Sequence, residues 1–156
     1  MWEKSWRYMQ LFLWIVGLLS IGFIIGQVTR YSVDGWYNTI ERSMLTPPNY
    51  VFGIVWSVIY IMIASAGWLL WLQSGNRQLK NLFLTQLILN WAWSPLFFIY
   101  HLVNISLLVV ALLMMIVGFI IKKGWYLDRI FASLLVPYFL WLSFAFYLNG
   151  YIFSYN

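Results

Sequence analysis

Long apolar runs alternate with short charged clusters along this chain. Its Lys, Arg, Asp and Glu residues fall only at positions 3 to 7, 30 to 42, 77 to 80 and 122 to 129. A helix needs about 20 apolar residues to cross about 30 Å of hydrocarbon, and the intervals between clusters accommodate that length for spans at 8–28, 48–72, 79–100, 103–121 and 130–152. The interval from Lys80 to Lys122 must hold two of these spans, with "YHLVN" at 100–104 as its polar break. The pattern predicts a single all-α domain over 1–156, a membrane protein built as a five-transmembrane-helix bundle with a long extracytoplasmic loop at 29–47. The "GQVTRYSVDGW" segment reads as part of that loop.

Composition agrees with this reading. The chain is 63% hydrophobic and 8% charged, whereas soluble domains carry about a quarter charged residues. Lys4, Arg7, Arg77, Lys80, Lys122, Lys123 and Arg129 fall on one side of the layout, and only Arg30 and Arg42 on the other. That asymmetry over short loops places the N-terminus in the cytoplasm and the C-terminus outside. The net charge of +5 then belongs mainly to an inner face that suits anionic lipid, and no nucleic-acid partner is expected. The first apolar run is longer than the core of a secretory signal and lacks a small-residue cleavage site, so it reads as a span. Cysteine is absent, which removes disulfides and thiolate metal sites.

Eleven tryptophans need sorting by depth. Trp2, Trp6, Trp36, Trp68, Trp71 and Trp125 lie in or beside loops, where membrane interfaces collect amphipathic rings. Trp14 reads as lipid-facing or packing. Trp56 stands eight residues past Pro48, about 12 Å into its helix, and Trp91, Trp93 and Trp141 are also deep. Two readings of these rings stand side by side. In one, polar side chains bond across helices and aromatics fill the core. In the other, aromatic faces with a few amides and hydroxyls line an uncharged pocket for a large, flat, apolar ligand. Tyr60, four residues after Trp56, shares its helical face. Pro47 and Pro48 suit a helix start. Pro95 and Pro137 fall inside spans, where kinks are expected.

Catalytic groups are scarce. Apart from Lys80 at the very start of the third, the spans contain no Asp, Glu, Lys or Arg, and His101, at the end of the third, reads as a turn histidine with no second metal ligand nearby. Serines 57, 94 and 143 have no visible base, so no hydrolytic triad is expected. No metal site and no required cofactor are expected either. Ion-coupled carriers place ionisable groups inside the membrane, and none is evident. Gly22 and Gly26, in "GFIIG", form a small-xxx-small pair that serves either dimerisation or packing within one chain.

Three blocks carry a specific resemblance: "WYNTIERSMLTPPNYVFGIVWSVIY" at 36–60, "LNWAWSPLFF" at 89–98 and "PYFLWLSFAFYLN" at 137–149. Together with the layout they make the chain similar to the TspO/MBR family, the tryptophan-rich sensory proteins whose animal member is the translocator protein or peripheral benzodiazepine receptor. The resemblance implies a five-helix bundle in the cell membrane, a homodimer, and a pocket under the first loop that binds porphyrins such as protoporphyrin IX. By the same match Trp56 and Trp141 face each other across the ligand and take part in light-dependent porphyrin breakdown. Tyr60, Asn90, Trp93, Ala145 and Leu148 should line the pocket, and Tyr37 and Pro47 should belong to its lid. The chain departs from the family where Arg42 to Leu45 stand in place of a Lys-Pro-x-Trp segment, and sterol binding is not implied. The function expected is a porphyrin-binding receptor or sensor, with light-dependent degradation as a side activity; the alternatives are a transporter of porphyrins or other apolar metabolites, and a structural protein whose aromatics only pack.

Overall fold

A computed structural model describes residues 2–156, with side chains described from Ser5 onward; Trp2 and Lys4 lie outside the described side chains. The architecture is all-α: α1 (Trp2–Asp34), a short 3-10 turn (Trp36–Asn38), α2 (Asn49–Leu72), α3 (Arg77–Phe98), α4 (Val103–Gly124) and α5 (Arg129–Tyr155). No strand occurs among the described residues. Four of the helices, α1, α2, α4 and α5, are long and apolar enough to cross a membrane. The fifth, α3, is as long as α4 but carries more polar residues.

Local chemistry sets the helix ends. Pro48 precedes α2, where a missing N–H costs nothing. Asp128 caps α5 by accepting the Ile130 and Phe131 backbone N–H groups at 2.8 and 3.1 Å, the N-cap arrangement that short acidic side chains favour. Pro95 sits in the last turn of α3, and its carbonyl accepts from both Ile99 and Tyr100. Pro137 lies inside α5, which remains continuous through it.

The first helix is longer than the pattern predicts. The expected loop began at residue 29, yet α1 continues to Asp34. Thr29 returns its hydroxyl to the Ile25 carbonyl at 2.9 Å, and Arg30 pairs with Asp34 one turn on at 3.6 Å. Polar side chains that satisfy themselves within the helix leave it no reason to end. The connecting loop is therefore 35–48.

Packing neighbours run α1–α2–α5–α4–α3, and α3 returns to α1 through sparser contacts. The inward stripe of α5 is Phe131, Leu135, Tyr138, Leu142, Ala145, Asn149 and Ile152, all buried, at the spacing of one helical face. Trp14 packs against Trp71 and Phe83, with ring centroids 5.2 and 6.3 Å away, so it is a packing residue. Outward faces are apolar: on α1, Phe12, Leu13, Ile24 and Val28 are exposed.

Gly22 serves packing inside the chain, because a methyl group there would collide with the Tyr60 ring of α2. Gly26 has open space around it. Gly22→Ala is therefore expected to cost about 1–3 kcal/mol, as overpacked cores do, and Gly26→Ala to cost nothing. Thermal unfolding of both variants in detergent checks this, and equal midpoints would contradict the packing role.

Candidate ligand-binding site

A cavity of about 520 Å3 lies between α1, α2 and the end of α3, with Tyr37 of the 3-10 turn in its wall. This volume is within the range of about 300–1,000 Å3 typical of small-molecule sites. Each helix contributes one face. From α1 come Leu19, Gly22, Phe23, Gly26, Arg30 and Val33, spaced as helical neighbours. From α2 come Phe52, Trp56 and Tyr60, and from α3 Asn90, Trp93 and Phe98. Gln27, Thr29, Ser57 and Ser94 supply polar atoms. Charge enters only through Arg30 and Asp34, whose side chains are 71% and 63% exposed.

The cavity is braced by a buried hydrogen-bond chain. The Tyr60 hydroxyl donates to Asn90 Oδ1 at 2.8 Å, and Asn90 Nδ2 donates to the Tyr138 hydroxyl at 2.9 Å. One amide thus joins α2, α3 and α5. Nearby, Trp93 Nε1 donates to Asn149 Oδ1 at 3.3 Å, and Asn149 Nδ2 donates to the Val103 carbonyl at 3.0 Å, tying α3 and α5 to the start of α4. The indole N–H groups of Trp68, Trp91 and Trp141 and the Gln86 amide find no partner among the described residues.

The loop above the cavity is strapped down from several sides. Ser43 hydrogen-bonds the Tyr147 hydroxyl at 2.9 Å. The Asn156 side chain accepts from the Glu41 N–H at 2.9 Å and donates to the Glu41 carbonyl at 3.1 Å. Ser32 donates to the Phe98 carbonyl and lies 3.2 Å from His101 Nε2, while Trp36 stacks on the His101 ring with centroids 4.1 Å apart. Tyr37 packs edge-on against Phe97 and Phe98 and carries the Arg42 guanidinium over its ring at 5.0 Å. Burial pushes the Tyr37 phenol above its ordinary range, against the pull of the Arg42 charge and of a hydrogen bond with Thr46. Tyr37 therefore stays a neutral hydrogen-bonding group.

The residues expected from sequence divide into two sets. Tyr37, Trp56, Tyr60, Asn90 and Trp93 meet at the cavity. Trp141, Ala145 and Leu148 are not in its wall. Ala145 and Leu148 are buried on α5, and Trp141 is turned towards Phe52 and Phe144, with centroids 5.9 and 5.6 Å away. Phe52 itself lines the cavity, and Trp56 meets Tyr60 and Tyr138. Of the two tryptophans expected to face each other, Trp56 lines this cavity and Trp141 does not. Pro47 lines a separate hollow within the loop. The contribution of α1 was missed, although its 19, 22, 23, 26, 33 stripe of small and apolar residues was a readable signal.

Comparison with known proteins bears on this arrangement. A model of the TspO/MBR family matches residues 14–154, a stretch that takes in α1 from Trp14, α2, α3, α4 and α5 up to Ser154, and every residue named in the cavity. The chain belongs to the TspO/MBR family. It is 35% identical to the tryptophan-rich protein TspO of Archaeoglobus fulgidus over 91% of this chain and 94% of that protein. It is 31% identical to the tryptophan-rich protein TspO of Bacillus cereus over 91% and 95%, and 33% identical to the human translocator protein over 73% and 70%. Membership and the long apolar helices together make this a multi-pass protein of the cell membrane.

Asn90→Leu should leave the Tyr60 and Tyr138 hydroxyls unpartnered and lower stability by roughly 1–3 kcal/mol. Replacing both tyrosines by Phe in that background should recover part of the loss, since no orphaned hydroxyl remains. Unfolding midpoints of the single and triple variants in detergent test this; no recovery would mean that the amide acts through packing alone.

Proposed function

We propose that this protein is a membrane receptor or sensor that binds a porphyrin in the cavity between α1, α2 and α3. The observation that carries the reading is the cavity itself: aromatic faces on three helices enclose a space of about 520 Å3, with amide and hydroxyl groups but no charge in its deep part. A large planar ligand gains from stacking on such walls, and Asn90, Ser94 and Gln27 set polar atoms beside it. Family membership supports the choice of ligand. It does so without an acid–base or metal site, since none is needed for binding.

All five helices cross the bilayer in this reading. At 22 residues, α3 spans about 33 Å, and its buried Gln86 and Asn90 face the bundle, where polar groups in membranes belong. The distribution of Lys and Arg puts the N-terminus in the cytoplasm, so the loop at 35–48 and the cavity beneath it lie at the extracytoplasmic end.

A secondary activity follows from the position of Trp56. An illuminated porphyrin against an oxidisable indole, with dioxygen as the oxidant, is poised for photo-oxidative breakdown. The tryptophan concerned is Trp56, which lines the cavity with Trp93, rather than Trp141, which does not.

Titration of the purified protein with protoporphyrin IX should quench tryptophan fluorescence to saturation. Trp56→Phe should slow the light-driven loss of bound porphyrin several-fold, and Trp141→Phe should slow it much less. Non-saturable quenching would defeat the binding reading, and equal rates in wild type and Trp56→Phe would defeat the photochemical one. Saturable flux of porphyrin across liposomes in the dark would instead favour carriage.

A further inference from the structure

The loop over the cavity holds a second hollow, of about 530 Å3, between Asn38 and Asn49. Its lining is of a different kind. Arg42 is joined there by Asn38, Ser43, Thr46 and Asn49, and none of the lining residues is acidic.

Arg42 is the distinctive member. It is half-buried, held over the Tyr37 ring at 5.0 Å, and no carboxylate among the described residues lies within ion-pair reach of it. Arg30, the other basic residue at this end, differs on both counts: its side chain is 71% exposed and it pairs with Asp34. A guanidinium withdrawn from water keeps its affinity for a planar pair of oxygens, which carboxylates supply. The hollow also abuts the start of α2, where Pro48 gives no side-chain cap and the helix dipole is positive. These features concentrate hydrogen-bond donors and positive potential in one place.

The two hollows are neighbours. Asn49 lines both, and Tyr37 stands in the wall of the apolar cavity while supporting Arg42. We infer that the loop hollow is an anion subsite in which Arg42 receives the carboxylate of an amphipathic ligand whose apolar body fills the cavity below. The inference rests on the cavity being the ligand site, as proposed above. It adds that the ligand is recognised as an ionised acid, and that Arg42, not Arg30, reads the charge.

Matched probes test this on the full-length protein in detergent: protoporphyrin IX against its dimethyl ester, and pyrenebutyrate against its methyl ester. Wild type should bind each acid more tightly than its ester by about ten- to a hundred-fold, the range of a charge-assisted hydrogen bond. Arg42→Gln should bring the acids down to the level of the esters and leave the esters unchanged, and Arg42→Lys should keep part of the preference. Equal affinities for acid and ester in the wild type overturn the inference with no variant needed. So does an equal loss for acid and ester in Arg42→Gln, which would make Arg42 a brace for Tyr37. Failure of both porphyrins to bind saturably would defeat the porphyrin reading alone, and the pyrene pair would then decide the anion subsite.

Discussion

A buried polar group left without a partner is costly, and Asn90 answers that cost with partners on two other helices. Its amide accepts from Tyr60 and donates to Tyr138, so a single side chain sets the relative positions of α2, α3 and α5. Helices in lipid gain little from hydrophobic association, since the lipid is as apolar as their own side chains. Directed bonds of this kind therefore decide which faces meet. The cavity follows from it, because with α2 and α3 joined through Tyr60 and Asn90 and α1 resting on α2, the space among the three remains open.

The loop is held by contacts of a different type. Asn156, Tyr147 and the His101 turn each bind it from outside the cavity, so its position depends on α5 and on the α3–α4 connection as well as on its own sequence. Its inner side presents Tyr37 to the cavity and its polar side presents Arg42 to the second hollow. In the proposed site these two unlike surfaces sort a ligand by orientation, its apolar body to one side and its charged edge to the other.

Much of this was legible from residue order. The apolar intervals located five helices, and the four-residue step from Trp56 to Tyr60 put both on the cavity face. Two features were not legible. The continuation of α1 through Thr29 to Asp34 depends on polar side chains bonding within the helix, which looks the same in sequence as a polar loop. The facing of Trp141 depends on the rotation of α5, which is set by Tyr138, Leu142 and Ala145 entering the core; Trp141 is one residue away from Leu142 and so points about 100° to the side. Motif spacing along a chain carries no information about that rotation until the partner helices are in place.

The meeting of Gly22 with the Tyr60 ring ties two properties of the molecule together. Both residues border the cavity, and Tyr60 also holds Asn90. A relative that enlarges its side chain at position 22 must shrink the one at position 60, and in doing so gives up the hydroxyl that orders three helices. Pocket size and bundle geometry are thus inherited as one character, and the two positions should covary across descendants of a common ancestor.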